Sequence, residues 1–440
     1  MKMNKNINYQ LWLVLMLTSF IPLIYATTRI YFLGSIESPW AYSIAAQVAW
    51  LNVGYEVLHE ALFIPLAFIF GKVVSEDRKF QERVSLGLKI IVISYLLVTA
   101  VVLWFTPIFV TAMQQQKELL TTTIQYIRLE SLAILLSSVY AFLSLVLVLK
   151  NQKKTLYKLL VVQMILTILC DALFVSQLPI SFELGVHGIA FSNIIVNLII
   201  AAVAITYLIR LGVSLKFGQS NRNQNIWLKE WVVIGWKSGL ESFVRNAAFI
   251  VMILQLVNQV QQAGTFWVAN QFIWGWLLLP VLALGQLVKQ DAATNKGLSI
   301  ERINGYFWLT VGLIVAWAIT IPIWDGFISS VMGVKNSGPI IDLVWLLVGF
   351  YVVFSFNNVI DSYFYGIGRT DLMLYQSLVV NSVFYGGAFV CYQAGIFVPT
   401  LQTIGLMFGL GITLDAMITW ALYLMLRRQQ SLSQCESLLS

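Results

Sequence analysis

The chain of 440 residues is 59% apolar and only 11% charged, where a typical soluble domain is about 25% charged, and its formal net charge is +7. This composition excludes a water-soluble globule, a disordered chain and a fibrous repeat, and describes a polytopic membrane protein. Nucleic acid binding is excluded because the basic residues sit in short loops between apolar runs, and Cys170, Cys391 and Cys435 make no disulfide framework.

A spanning helix needs about 20 predominantly apolar residues. In chain order such segments fall at 11–33, 41–70, 84–110, 121–147, 156–177 and 187–209. Lys2 and Lys5 ahead of the first one resemble a signal peptide, but the apolar run is long and the pattern continues, so it is read as an uncleaved span. A polar stretch at 211–230, with Lys216, Arg222 and Lys229, precedes six more spans at 231–258, 265–288, 303–324, 340–365, 374–393 and 403–426. The reading is an all-α polytopic membrane protein of twelve transmembrane helices in two six-helix lobes. These occupy 1–215 and 231–426, with a linker at 216–230 and a tail at 427–440.

Loop charge orients the chain. Lys72, Arg78, Lys79 and Arg83, then Lys150, Lys153, Lys154 and Lys158, then the stretch from Arg210 to Lys229 lie on one side. Lys289, Lys296, Arg302, Arg369, Arg427 and Arg428 share it, whereas the opposite loops hold only Lys117 and Lys335. The positive-inside rule places both termini and the linker in the cytoplasm, with the chain spanning the plasma membrane, or the inner membrane of a bacterial source. A monomer is expected.

The halves resemble one another at a shift of about 215 residues. Pro65 matches Pro280, Lys154-Thr155 matches Arg369-Thr370, and Arg29 matches Arg245 at 216. Leu159-Leu160-Val161-Val162-Gln163 resembles Ser377-Leu378-Val379-Val380-Asn381 at a slightly larger shift. Six helices per half make this a parallel repeat about an axis along the membrane normal, an architecture that in transporters sets a cavity between the halves.

Short motifs carry a family resemblance. Leu184-Gly185-Val186-His187-Gly188-Ile189-Ala190 looks like an LGVxGxA turn before helix six, and Tyr126-Ile127-Arg128 like a Y-[LI]-R on helix four. Gly366-Ile367-Gly368-Arg369-Thr370 looks like a G-x-G-R-T after helix ten, and Pro280 through Gly285-Gln286 like the motif closing helix eight. Together they resemble the multidrug and toxic compound extrusion family, whose superfamily also holds flippases for lipid-linked saccharides. The resemblance implies that Asp171 is the helix-five acid of ion coupling and Glu241 the helix-seven glutamate. The family's helix-one aspartate is replaced: aligned through Gly34, Arg29 stands there.

An ionisable group at the bilayer centre costs from about 2.5 to above 10 kcal/mol unless it finds a partner or water. Besides Arg29 and Asp171, the first half holds Glu56, His59 and Glu60 on one face of helix two, and Arg128 and Glu130 on helix four. Should Arg29 pair with Asp171, the guanidinium neutralises that acid, and the coupled proton passes to Glu56, Glu60 or His59. A purely structural charge network is the competing reading of that face. Helix seven carries Lys237, Glu241 and Arg245 as a ladder, in which Glu241 either couples ions or merely neutralises two cations. Asp361 on helix ten either enters the cavity or snorkels to the interface, and Asp415 on helix twelve is a further candidate. Asn193, Asn197, Asn270, Gln271, Asn357 and Asn358 are cavity candidates that interhelical hydrogen bonding equally explains. Trp267, Trp274 and Trp276 either stack a flat substrate or sit at the membrane interface.

No Walker loop, Gly-x-Ser-x-Gly elbow or zinc-protease helix occurs, and two histidines make a transition-metal site improbable. No cofactor and no enzyme activity are expected. The expectation is a secondary active exporter of a small amphipathic compound, driven by inward flow of H+ or Na+, with Glu56, His59, Glu60, Asp171 and Glu241 as ion-coupling residues. Arg29, Lys237, Arg245, Asn193, Asn270 and Asp361 line its cavity, and the basic members suggest an anionic or zwitterionic cargo. The alternative is a flippase for a lipid-linked saccharide or similar anionic amphiphile, and a rival of another class is a non-transporting receptor or scaffold.

Overall fold

Lipid supplies no hydrogen bonds to a backbone, so apolar runs of this length satisfy their own N–H and C=O groups as helices. The computed structural model describes residues 7–36, 40–213, 226–295 and 297–439, and among these there is no strand. Among the described residues eleven helices are long and apolar enough to cross a membrane, and a bent pair makes a twelfth. They are α1 (Tyr9–Ser35), α2 (Asn52–Gly71), α3 (Asp77–Ala112), α4 (Leu120–Leu149), α5 (Lys153–Phe174) and α6 (Val186–Arg210). Then follow α7 (Trp227–Gln259), α8 (Ala263–Leu277 and Leu279–Thr294), α9 (Ile300–Val331), α10 (Gly338–Gly366), α11 (Thr370–Gln393) and α12 (Leu401–Leu439). The second expected span is preceded by a separate short helix, Ala41–Ala46, and a 3-10 turn, Gln47–Leu51. The twelfth runs on through most of the stretch expected as a tail. Most of the linker, and with it Lys216 and Arg222, lies outside the described residues, as do Lys2, Lys5 and Lys296.

The chain forms two compact units. One holds residues 24–264 with 332–334, the other residues 1–23, 265–331 and 335–440. The α7 helix therefore packs with α2 to α6. Gly235 is the reason at α2: a Cβ there would overlap the Ala61 carbonyl, and a Cβ at Gly239 would press on the Ala61 methyl at 3.0 Å. With hydrogen in place of a side chain the two backbones close, and Trp231 seals the contact by donating its indole N–H to the Leu62 carbonyl at 2.9 Å. This approach aligns the polar faces of α2 and α7.

In the same unit the LGVxGxA segment turns α5 into α6. Gly185 sits at φ +59°, where a Cβ is strained, and Gly188 lies so close to the Phe174 carbonyl that a side chain would collide with it. Leu184 N–H donates to that same carbonyl at 2.9 Å. The tight hairpin faces Asp171, near the end of α5, toward Asn193, in the second turn of α6. Elsewhere in the unit, Gln47 and Asn258 exchange amide hydrogen bonds of 2.7 and 2.9 Å, both buried.

In the other unit α8 bends by 54° at Leu278, where Pro280 denies the helix an N–H and Gln271–Leu277 is wound as a π-helix. Two carbonyls beside the break accept from indoles: Trp317 donates to Leu277 at 2.8 Å and Trp12 to Pro280 at 3.1 Å. Below the bend, Leu284 and Val288 pack against Tyr306 of α9 and Ile360, Tyr363 and Phe364 of α10.

Candidate functional site

Arg29 of α1 reaches Asp171 of α5 with a two-pronged bond, Nε to Oδ2 at 2.8 Å and Nη2 to Oδ1 at 3.2 Å. Asp171 is 1% exposed and the arginine side chain 16%. The fork matches a carboxylate and occupies both of its oxygens. Nη2 also donates to Asn193 Oδ1 at 2.9 Å, and the Asn193 amide passes the chain on to Glu130 Oε1 of α4 at 2.8 Å. Glu130 is buried, and its second oxygen, Oε2, has no protein partner. A cavity of about 220 Å³ opens beside this chain of contacts, lined by Arg29, Glu130, Gln163, Thr167, Asn193 and Asn197 among others. One guanidinium thus holds Asp171 directly and is linked to Glu130 through Asn193, and Glu130 lines a polar cavity.

The second cluster lies where α2 meets α7. Arg245 donates from Nη1 to Glu241 at 2.8 Å, and from Nη2 to Glu60 at 2.6 Å and to Glu56 at 3.2 Å. One cation faces three acids, which leaves an excess of two formal negative charges. The cluster is open: the side chains of Glu56 and Arg245 are 38% and 41% exposed. His59, which shares the helical face in sequence, does not join it; the imidazole is exposed and stacks on Phe63 with ring centres 4.4 Å apart. Lys237, one turn before Glu241, is exposed.

The remaining candidates lie in the other unit. Asn270 accepts a 3.5 Å contact from the Tyr351 hydroxyl, which itself receives the Trp274 indole N–H at 2.9 Å. Trp276 packs edge-on against Phe20 and Phe327. Asp361 pairs with Asp415 of α12 through one amide: Asn357 Nδ2 donates to Asp361 at 2.9 Å and to Asp415 at 3.1 Å. Sequence reasoning named Asn357 and Asp415 as candidates without a partner and gave Glu130 no role. Each earns its place from a partner on another helix, which no spacing within one helix displays.

The architecture is that of a multi-pass helical membrane protein. No family model and no curated protein sequence matches the chain, but its structure is similar to solved ones over nearly its whole length. An inward-facing multidrug resistance MATE family transporter of the MOP superfamily superposes with a TM-score of 0.75 at 15% identity, over 96% of this chain and 98% of that one. A MOP superfamily transporter from Pyrococcus furiosus, described as having a binding pocket of reverse polarity that suggests a different function, gives 0.68 at 15% identity over 95% and 94%. The Vibrio cholerae MATE transporter VcmN, as a mutant, gives 0.67 at 13% identity over 96% of each chain. The chain has the fold of the MATE transporters.

Proposed function

We propose that this protein is a secondary active transporter that exports a small amphipathic compound in exchange for H+ or Na+. Its ion-coupling residues are Glu56, Glu60 and Glu241, held around Arg245. The observation that carries the reading is the three-to-one ratio at Arg245. A guanidinium cannot neutralise three carboxylates, so the cluster takes up a cation readily and exchanges the partners of Arg245 when it does. Such an exchange gives the ion a different affinity for each arrangement of the helices, which is what alternation requires. Asp171 is left out of coupling because both its oxygens are engaged by Arg29. His59 stands beside the cluster as a relay at most.

The same bookkeeping bears on the cargo. Arg29 and Arg245 look, in sequence, like anion-binding residues, yet Arg29 is matched by Asp171 and Arg245 is shared among three carboxylates. This favours a cationic or neutral cargo over an anionic one and weakens the flippase reading, which needs arginines free for phosphate. The cavity beside Glu130 suits a protonated amine with polar substituents. The test is flux in proteoliposomes bearing a proton or sodium gradient, with one cationic and one anionic dye. Gradient-driven movement of the cationic dye alone is expected. Movement of the anionic dye alone, or of neither while a lipid-linked precursor crosses, overturns the assignment.

A further inference from the structure

Asp361 and Asp415, both half-buried, differ from the ion-paired acids of the protein in what surrounds them and, like Glu130, bond no cation directly. Asp171 has Arg29; Glu56, Glu60 and Glu241 have Arg245; Asp291 has Arg302 and the Tyr306 hydroxyl. Around Asp361 and Asp415 every bond comes from a neutral group. Thr419 donates to Asp361 Oδ1 at 3.1 Å, Asn357 to Oδ2 of each acid, and Gln376 of α11 to Asp415 Oδ1. The donors are laid out as two matched rungs, since Asn357 and Asp361 lie one turn apart on α10, as Asp415 and Thr419 do on α12.

The cationic groups of the neighbouring helices are engaged elsewhere. Arg302 of α9 holds Asp291 of α8, and Lys289 lies over the Tyr365 ring. Arg427 of α12 lies over Tyr363 and Tyr423 and donates to the Leu298 carbonyl, and Arg369 is paired with Asp371 at the exposed start of α11. The titratable group that does face the pair is Tyr385 of α11, packed over Gly411 one turn before Asp415. A phenol adds no positive charge.

A second observation points to a missing proton. Asn357 is 1% exposed, and its Oδ1 has no partner although the Nδ2 of the same amide is pinned between the two acids. An acceptor with no donor sits next to two carboxylates with no cation. A single proton on the pair removes one of the two like charges, and a carboxyl O–H is also the kind of donor that Oδ1 lacks. Two ionised carboxylates sharing one amide inside a membrane span have no such relief, and like charges this close do not both ionise.

We propose that Asp361 and Asp415, bridged by Asn357, form a site that holds one exchangeable proton in the unit containing α8 to α12. The proposal goes beyond the transport reading, and its test uses no flux, so either can fail alone. The full-length protein, purified in detergent, is treated with dicyclohexylcarbodiimide, an apolar reagent that adds to un-ionised carboxyl groups. Adducts are then mapped by mass spectrometry. The wild type at neutral pH should carry one adduct on Asp361 or Asp415, equally in sodium and choline chloride. The near-isosteric double variant D361N/D415N should lose it. Gln376→Lys, which puts an ammonium where a neutral amide now donates, should lower it about tenfold by supplying the charge in the proton's place. No adduct at either aspartate in the wild type overturns the proposal. So does an undiminished adduct in folded Gln376→Lys. Protection by sodium but not choline overturns it too, by assigning the positive charge to Na+. The wild-type result stands even if the lysine variant does not fold.

Discussion

Arg29 and Arg245 are both ion-paired within the spans, but Asp171 is almost fully enclosed whereas Arg245 and the acids around it are between 19% and 41% exposed. Breaking an enclosed pair strands a charge at a cost of about 3–5 kcal/mol, while an exposed one is worth about 1 kcal/mol or less. Arg29→Met should therefore lower the thermal midpoint of the purified protein well beyond what Arg245→Met does. Replacing both partners, Arg29→Met with Asp171→Leu, should recover most of the loss, as a double-mutant cycle by thermal unfolding will read. Equal shifts for the two single variants would contradict this account. Much of this chemistry is legible along the chain. Counting residues along each helix puts Arg29 and Asp171 in the same half of the bilayer, and the i, i+4 spacing aligns Glu241 with Arg245. The convergence of Glu56 and Glu60 on that arginine is not legible, because it depends on how α2 meets α7. The stacking of His59 on Phe63, one turn further along, is likewise not legible.

At the level of helices, contact between α2 and α7 rests on the absence of a side chain at Gly235. Gly235→Ala forces a methyl into the Ala61 carbonyl and should cost about 1–3 kcal/mol, while loosening Glu241 and Arg245 from Glu56 and Glu60. Gly312→Ala on α9, where a methyl meets nothing, should be neutral or stabilising by a few tenths of a kcal/mol to about 1 kcal/mol. Thermal unfolding of the two variants side by side checks the pair, and equal losses would refute the packing argument. The spans themselves are readable from hydropathy, because the bilayer leaves an apolar run of twenty residues few other structures. The π-wound segments at Ile250–Leu254, Gln271–Leu277 and Val380–Tyr385 are not, since nothing local in those residues distinguishes them from ordinary helix. The bend at Pro280 is half legible: proline announces a break, but not that Trp12 and Trp317 donate to carbonyls beside it.

For the whole molecule, a duplicated pattern suggests a split at the polar stretch before α7, whereas packing groups α7 with α2 to α6. Periodicity reports which segments are helices, and small residues such as Gly235 decide which of them close on one another. The acids of α2 and α7 thereby come to share one arginine within a single unit, and the transport reading rests on that sharing. The measurement that tests it most directly is gradient-driven efflux of a cationic dye from proteoliposomes containing either the wild type or the double variant E56Q/E60Q. Both substitutions keep shape and hydrogen-bonding capacity and remove only the surplus charge. Energised efflux from the wild type and its loss in a variant of unchanged thermal stability is the result expected. Efflux from E56Q/E60Q at the wild-type rate would show that this cluster holds the helices together and nothing more.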